Sequence, residues 1–137
     1  MRYLVLVFMF VLSFFSACLS AATSETELTV NSGTEIKQVT VQEANEAVKM
    51  QNVQFVDVRT TAEYGEKHAV KAVNMPLDSL ENELAKLDQE KPVYLICQSG
   101  ARSQKAAEML KKANFKQIYN VKGGTSAWTS ANLPVEK

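Results

Sequence analysis

The sequence predicts an α/β fold, because apolar strand-like runs alternate with amphipathic helical segments along a chain of domain size. Residues 93–96 (VYLI) form a continuous apolar run, which is typical of a central strand covered on both faces. Residues 102–113 follow it with apolar side chains at helical spacing. We therefore expect a central, mostly parallel sheet with helices on both faces.

The first half of the chain contains a predicted linker, helix and strand. Residues 23–35 are polar and poor in large apolar side chains, so we expect a flexible linker. Thr40 and Glu43 have the spacing of a capping box, which predicts a short helix ending near Met50. Residues 53–58 then have the pattern of a strand.

Two further helices are predicted in the second half. Asp78, followed by Glu81 three residues later, has the spacing of a helix N-cap. The apolar face of that helix is expected to hold Leu80, Leu84 and Leu87. The face of the helix over 102–113 is expected to hold Ala106, Met109, Leu110 and Ala113. Asn114 is expected to end the latter helix in the left-handed conformation.

The last part of the chain is predicted to add one strand and one helical turn. Residues 117–121 have the pattern of a short strand, and Gly123 and Gly124 predict a turn after it. A helical turn over 126–129 follows. Trp128 and Phe115 are interpreted as core aromatics.

Length and charge limit the possible classes of function. The chain has 137 residues, enough for one domain with its own core. Its fifteen basic and fifteen acidic residues balance, so no charge excess indicates nucleic acid or an anionic membrane as partner. We expect a single domain over residues 36–137.

Residues 1–22 have the pattern of an export signal, since Arg2 precedes an apolar run that ends in small residues. Cleavage near Ala22 is the preferred interpretation. Lipid attachment at Cys18 and an uncleaved membrane anchor are the alternatives. We expect an exported protein of the periplasm or cell envelope, bound to a membrane only if Cys18 is lipidated or the leader is retained.

Cys97 is then the only free thiol of the folded part, because cleavage near Ala22 removes Cys18 and lipidation blocks the Cys18 thiol. No intramolecular disulfide can form. An unpaired cysteine in an oxidising compartment indicates a thiol that is kept for its reactivity.

Cys97 opens a loop, CQSGARS, between the predicted central strand and the next helix. Open α/β sheets bind ligands at this edge. The amides of residues 98–102 can converge on the sulfur, and Gly100 permits the tight path. Together with the helix N-terminus they favour a thiolate of lowered pKa. A cysteine that only fills core space is the simpler alternative, but it explains neither Gly100 nor the guanidinium of Arg102.

Three stretches resemble the signatures of the rhodanese family of sulfurtransferases: the loop 97–103, the segment 57–76 that begins DVR, and the segment 121–128 that contains VKGG and a tryptophan. They occur in the order of the family and cover most of the expected domain. Lys67 and Lys71 depart from the pattern, because the family usually has glycines there. They are interpreted as solvated surface lysines, with attraction of an anionic donor as the alternative.

The resemblance implies a three-layer rhodanese-like fold and sulfur transfer through a persulfide on Cys97. The small exported form is similar to the single-domain phage-shock rhodaneses of bacterial envelopes. The implied partners are a sulfane donor such as thiosulfate and an acceptor such as cyanide or a thiol, with an envelope protein as a further candidate. No cofactor or metal is expected, since one histidine and two cysteines offer no closed set of ligands.

The length of the loop separates sulfur transfer from related chemistry. Four residues lie between Cys97 and Arg102, whereas the related cell-cycle tyrosine phosphatases have five. The resemblance implies that the smaller ring of amides suits one outer sulfur better than a phosphate. A phosphatase or arsenate reductase using the same thiolate is the alternative enzyme, and a non-catalytic binding module or sulfur carrier is a third hypothesis.

The site residues follow from the loop and the resemblance. Cys97 is the expected nucleophile. The expected substrate-binding residues are Gln98, Ser99, Gly100, Ala101 and Arg102. The residues expected to support the site structurally are Asp57, Arg59, Glu63, His68 and Ser103.

Several of these assignments have an alternative. Arg102 either anchors an anionic donor or locks the loop through a carboxylate such as Glu63, and the structural role is favoured. A general base is the alternative for Asp57. The resemblance places His68 in a structural turn, so it is interpreted as structural rather than as the base of a Cys-His pair.

Overall fold

The computed structural model describes residues 33–137, which form one α/β unit around a parallel sheet. The seven strands are β1 (Ile36–Val39), β2 (Gln54–Asp57), β3 (His68–Ala69), β4 (Val73–Asn74), β5 (Val93–Ile96), β6 (Ile118–Val121) and β7 (Val135–Glu136). Five of them form the main sheet in the order β1-β6-β5-β2-β4, and every pairing in it is parallel.

Five α-helices connect these strands. They are α1 (Val41–Val48), α2 (Thr61–Glu66), α3 (Leu80–Glu83), α4 (Ala101–Lys112) and α5 (Gly124–Ser130), with a 3-10 turn at Leu84–Lys86 after α3. The helices cover both faces of the main sheet, because α3 and α4 pack in one apolar cluster while α1 and α5 pack in another. The predicted α/β architecture, with a central parallel sheet between helical layers, is confirmed.

The central strand β5 divides these two apolar clusters. All four of its residues are buried, as the apolar run predicted. Leu95 faces the cluster that contains α4, and Cys97 directly after the strand lies on the same side. Tyr94 and Ile96 face the cluster that contains α1 and α5. The alternation of side chains along β5 therefore places the thiol beneath α4.

The C-terminus is attached to the domain by a small second sheet. β3 and β7 pair antiparallel, with Ala69 opposite Val135. The indole nitrogen of Trp128 donates to the Pro134 carbonyl at 2.9 Å. These contacts place His68 opposite Glu136 of β7.

The local patterns predicted several elements correctly. Thr40 and Glu43 form the capping box of α1. Helix α4 begins and ends one residue before the predicted limits, and Asn114 has the left-handed φ of 65°. Trp128 and Phe115 are each 1% exposed, as expected of core aromatics.

Two predicted helices differ from the structure. Asp78 is not an N-cap: Ser79 occupies that position, and no side chain caps the helix. The backbone here makes successive three-residue turns, with the Ser79 amide donating to Pro76 and the Asn82 amide to Ser79, so the α-helix starts late and is short. The last helix is longer than the predicted turn over 126–129, because Gly124 is already its first residue.

The export signal and most of the linker predicted over 23–35 lie outside the described residues. Residues 33–35 are described and have no regular structure. Within 33–137 no helix has the length and apolar character needed to span a membrane.

Candidate active site

Cys97 lies where the sequence predicted it, between the carboxyl end of β5 and the amino end of α4. Cys97 is only 1% exposed, while its neighbours Gln98, Ser99 and Ala101 are exposed to solvent. Gly100 has a φ of +100°, a conformation that glycine adopts without strain, and it forms the N-cap of α4. The loop therefore curls over a recessed sulfur.

Hydrogen-bond donors surround this sulfur. The Gly100 amide donates to Cys97 Sγ at 3.0 Å, and the Ser103 hydroxyl donates to it at 3.3 Å. Burial raises the pKa of the Cys97 thiol, but hydrogen bonds from the Ser103 hydroxyl and from three loop amides outweigh it. Those amides belong to Ser103, Ser99 and Gly100. The net effect lowers the pKa, which favours the thiolate.

Helix α5 orients the peptides of this loop. The Thr125 amide donates to the Cys97 carbonyl at 2.8 Å, and the Ser126 amide donates to the Gln98 carbonyl at 3.1 Å. In a trans peptide the N–H points opposite to the carbonyl, so the amides of Gln98 and Ser99 are turned away from α5. The first turn of α5 thus fixes the direction of the loop donors.

Gly124 permits this close approach. A Cβ at Gly124 would lie 2.2 Å from the Cys97 carbonyl oxygen, and its φ is +55°. Gly123 also has a positive φ, +75°, in the turn before the helix. The two glycines predicted as a turn therefore also form the surface on which the cysteine loop rests.

An ion pair connects the loop helix to α2. Arg102 binds Glu63 with two hydrogen bonds of 2.8 Å, one from each terminal nitrogen, and both side chains are 35% exposed. The hydrogen bond from Arg102, followed by those from the amide and hydroxyl of Thr60, outweighs partial burial and lowers the pKa of Glu63 to about 2. This pairing matches the locking role favoured for Arg102, although Glu63 is more exposed than a buried carboxylate.

A second ion pair lies beneath the loop. Arg59 and Asp57 are almost fully buried and join through two guanidinium nitrogens, with distances of 2.7 to 3.0 Å. Arg59 also donates to the Lys67 carbonyl at 2.7 Å. Its other terminal nitrogen donates to Gln98 Oε1 at 3.5 Å and so reaches the cysteine loop. Asp57 and Arg59 thus hold three segments together.

His68 lies in a separate polar centre. Its Nδ1 is 2.9 Å from the Tyr64 carbonyl, which can only accept, so Nδ1 carries the proton. Its Nε2 is 3.5 Å from a carboxylate oxygen of Glu136, and the ring stacks on Tyr64 with 3.6 Å between the ring centroids. Within residues 33–137 no hydrogen bond joins His68 to Cys97.

A small polar cavity of about 180 Å³ adjoins the loop. It is lined by two cationic, two acidic and three neutral polar side chains: Arg59, Lys67, Glu63, Glu66, Gln98, Thr125 and Thr129. The ammonium of Lys71, in contrast, lies 3.4 Å from the Val48 carbonyl, outside this lining. The two lysines that depart from the family pattern therefore have different positions relative to the site.

The structure brings most of the predicted site residues together and leaves one apart. Cys97 and the residues 98–103 form the loop, with the two ion pairs against it, whereas His68 has its own partners. In the described part of the chain no cluster of three or more potential ligands for a metal ion is present.

Two residues that hold the loop were missed from the sequence. Thr125 and Ser126 bind its carbonyls, and Ser126 also accepts from the Gln98 side chain at 2.8 Å. The available signal was the Gly123-Gly124 pair followed by two hydroxyl residues, which fits a helix start against another backbone.

Comparison with known proteins supports this geometry. The family model described as "Rhodanese-like domain" matches residues 40–131. The chain belongs to the rhodanese-like domain family. A curated relative, thiosulfate sulfurtransferase GlpE of Coxiella burnetii, is 36% identical over 92 residues, which cover 67% of this chain and 86% of the relative. The family assignment thus covers both the cysteine loop and the glycine turn.

Solved structures agree on the fold. A rhodanese-like domain protein from Staphylococcus aureus is 32% identical and superposes with a TM-score of 0.62, over 68% of this chain and 91% of that one. A rhodanese-related protein from Thermoplasma volcanium is 25% identical with a TM-score of 0.66, over 73% and 97% of the two chains. The resemblance stated from the sequence motifs is confirmed, and membership supports sulfurtransferase activity at the level of the family.

Proposed function

We propose that this rhodanese-like protein is a sulfurtransferase that carries sulfur as a persulfide on Cys97. The donor is a sulfane compound such as thiosulfate, and the acceptor is cyanide or a thiol. The observation that carries the proposal is the ring of donors around Cys97 Sγ, made by the Gly100 amide at 3.0 Å and the Ser103 hydroxyl at 3.3 Å. Such a ring stabilises negative charge on sulfur.

The reaction proceeds in two displacements. The Cys97 thiolate attacks the outer sulfur of thiosulfate, the sulfur–sulfur bond of the donor breaks, and sulfite leaves with the bonding electrons. The negative charge then resides on the outer sulfur of the persulfide. An acceptor such as cyanide attacks that sulfur, takes it as thiocyanate, and restores the thiolate. No proton transfer is required, which agrees with the lack of a basic side chain bonded to Cys97 in residues 33–137.

The size of the loop favours sulfur over phosphate. Four residues between Cys97 and Arg102 make a ring in which the amides already lie close to Sγ. Arg102 directs both terminal nitrogens at Glu63 rather than into the ring, so its charge is shared with a carboxylate. A phosphate dianion would need several donors that point at three oxygens, whereas a persulfide presents a single sulfur.

Steady-state kinetics test the proposal. With the purified mature protein, thiosulfate and cyanide, we expect parallel double-reciprocal plots, since a covalent intermediate gives ping-pong kinetics. Cys97→Ser is the control and should show no transfer. Turnover of an aryl phosphate or of arsenate without sulfur transfer would replace the proposal with the phosphatase or reductase alternative. Partner binding that survives Cys97→Ala, with no transfer, would favour a binding module or carrier.

We also propose that the protein acts in the periplasm or cell envelope. The support is the export signal pattern of residues 1–22, with Cys18 as the alternative lipid attachment point. The mass of the protein isolated from an envelope fraction tests this. A chain that begins after Ala22, or at a lipidated Cys18, is the expected result, and a cytoplasmic protein that retains the leader would contradict it.

A further inference from the structure

Asn120 is a buried amide next to the cysteine loop. It lies on β6 between Gln38 of β1 and Leu95 of β5, and it is 4% exposed. Its Oδ1 is the one buried side-chain oxygen or nitrogen of residues 33–137 that has no hydrogen-bond partner. A buried polar atom without a partner costs free energy, so the orientation of this amide requires an explanation.

The nitrogen of the same amide, Nδ2, carries two hydrogens but lies near three acceptors. Asn120 Nδ2 lies 2.9 Å from Gln38 Oε1, 3.1 Å from Gln104 Oε1 and 3.4 Å from the Gly100 carbonyl. The two glutamine side chains can rotate to present donors instead. The Gly100 carbonyl can only accept, so it is the partner that requires a nitrogen at this position.

The Gly100 carbonyl controls the direction of one loop amide. It belongs to the peptide that joins Gly100 to Ala101, and it also accepts from the Gln104 amide at 3.2 Å. Because N–H and carbonyl point in opposite directions across a trans peptide, the Ala101 amide points out of the start of α4 towards the loop. No side chain caps α4, and in the part of the chain that the structure describes no hydrogen bond engages the Ala101 amide.

The donors to Cys97 Sγ come from other groups. The Gly100 amide, 3.0 Å from Sγ, belongs to the peptide that joins Ser99 to Gly100, and the Ser103 hydroxyl donates at 3.3 Å. The amides of Ser99 and Ser103 also point to Sγ, but the Ala101 amide does not. The Ala101 amide is thus available for an atom that arrives beyond Sγ. In sulfur transfer that atom is the outer sulfur, which carries the negative charge of the persulfide after sulfite has left with the bonding electrons.

We propose that Asn120 is a positioning residue for sulfur transfer. It holds the Gly100 carbonyl and thereby aims the Ala101 amide at the outer sulfur of the Cys97 persulfide. This role rests on the proposed function and separates two tasks within it. Gly100 and Ser103 stabilise the resting thiolate, while Asn120 acts through Ala101 on the sulfur that is transferred.

Three variants test whether the thiolate and the transferred sulfur are stabilised by different residues. Asn120→Leu removes the amide at similar volume. Gln54→Leu is the matched control, because Gln54 bonds the Asp88 backbone at 2.8 and 2.7 Å at the opposite end of the sheet. Ser103→Ala removes a donor to the thiolate itself. Two quantities are measured for each: the rate of sulfur loading from thiosulfate by intact mass, and the pH profile of thiol alkylation.

For Asn120→Leu we expect loading about tenfold slower than wild type with an unchanged alkylation profile, a smaller loss than outright removal of an oxyanion donor, which costs about 100- to 1000-fold. Gln54→Leu should change neither quantity, and Ser103→Ala should shift the alkylation profile to higher pH. If Asn120→Leu does not fold, Asn120→Ser should show the same split.

Three outcomes would overturn the role of Asn120. Loading at the wild-type rate would show that the amide is not needed. Slower loading together with an alkylation profile shifted to higher pH would indicate that Asn120 supports the loop in general. Failure of the wild-type protein itself to take sulfur from thiosulfate or tetrasulfide would remove the proposed function, and this role with it.

Discussion

Cys97 and His68 are both buried polar residues, but their surroundings have opposite character. The Cys97 sulfur is surrounded by donors, from Gly100 and Ser103. The His68 ring is surrounded by acceptors, the Tyr64 carbonyl and the Glu136 carboxylate. The first environment stabilises an added negative charge, and the second engages both ring nitrogens in structural contacts.

The difference shows how this fold can activate a thiol without a base. In a Cys-His pair the imidazole removes the thiol proton, and that requires a ring nitrogen directed at sulfur. Here backbone amides and one hydroxyl lower the pKa of Cys97 instead. The four predictions that follow test this contrast between the cysteine loop and the histidine turn, in order of expected effect.

The largest effect is expected where the backbone packs on Cys97. Gly124→Ala would place a Cβ 2.2 Å from the Cys97 carbonyl oxygen at a φ of +55°, so we expect a loss of about 3 kcal/mol in the free energy of unfolding, or no folded protein. Gly65→Ala is the control beside the histidine turn, because nothing lies within 4 Å of its Cβ. It should stabilise α2 by about 0.5 to 1 kcal/mol. Urea denaturation measures both, and equal effects would contradict the close packing on the loop.

The second prediction compares the two polar centres directly. Ser103→Ala removes a donor to Cys97, so the thiol pKa should rise, and the value of kcat/KM for thiosulfate at neutral pH should fall about tenfold or more. His68→Gln should leave the pH profile in place and reduce stability by about 1 to 2 kcal/mol. The pH dependence of alkylation and of kcat/KM measures this. A shifted profile in His68→Gln would show that the histidine assists the thiol.

A smaller effect is expected at the ion pair between α2 and α4. The pKa of Glu63 is lowered from 4.5 to about 2, chiefly by its hydrogen bond with Arg102, so the pair stabilises the fold above pH 4.5 and loses this contribution as the pH falls towards 2. In Glu63→Gln the free energy of unfolding should fall less over that pH range than in the wild type. The difference should be about 1 kcal/mol or less, because the two side chains are about a third exposed.

The control for that pair is Glu66→Gln, because Glu66 is exposed and makes no ion pair within residues 33–137. Its free energy of unfolding should follow the wild-type pH dependence. An acid titration of unfolding for the three proteins makes the comparison. Identical curves for Glu63→Gln and the wild type would mean that the ion pair does not stabilise the folded state.

The smallest effect is expected at the two lysines. Lys67 lines the polar cavity beside Gln98, whereas Lys71 lies outside that lining. Lys67→Gln should raise the KM for thiosulfate about two- to threefold at low salt, since one unit of favourable charge is lost in a solvent-exposed position. Lys71→Gln changes the net charge equally and should leave KM unchanged. Equal changes in both would favour the interpretation as solvated surface lysines.

The sequence predicted the parts of the fold with strong local signals. The capping box at Thr40, the apolar run of β5 and the helical spacing of α4 each express a rule that acts within a few residues. The position of Cys97 followed, because it depends only on the order of a strand and a helix. The loop motif with Gly100 at positive φ was the most informative signal for the site.

The missed strands lack such local signals, whereas the missed helix α2 has one, the capping box of Thr60 and Glu63. β3, β4 and β7 have two residues each, too few for a periodic pattern, and they form through pairing with distant parts of the chain. β1 is an edge strand with its polar Lys37 and Gln38 exposed. The contacts of Thr125 with Cys97 and of Asn120 with Gly100 join residues 20 to 28 positions apart, so only the folded structure brings them together.

Sulfur transfer by this protein depends on one property, the capacity of the loop to hold an added sulfur on Cys97. The intact mass of the purified mature protein after incubation with thiosulfate tests it most directly, followed by addition of cyanide. We predict a gain of one sulfur atom that cyanide removes and that Cys97→Ser does not show. An unchanged mass with every sulfane donor tried, from a protein with a reactive Cys97 thiolate, would contradict the account.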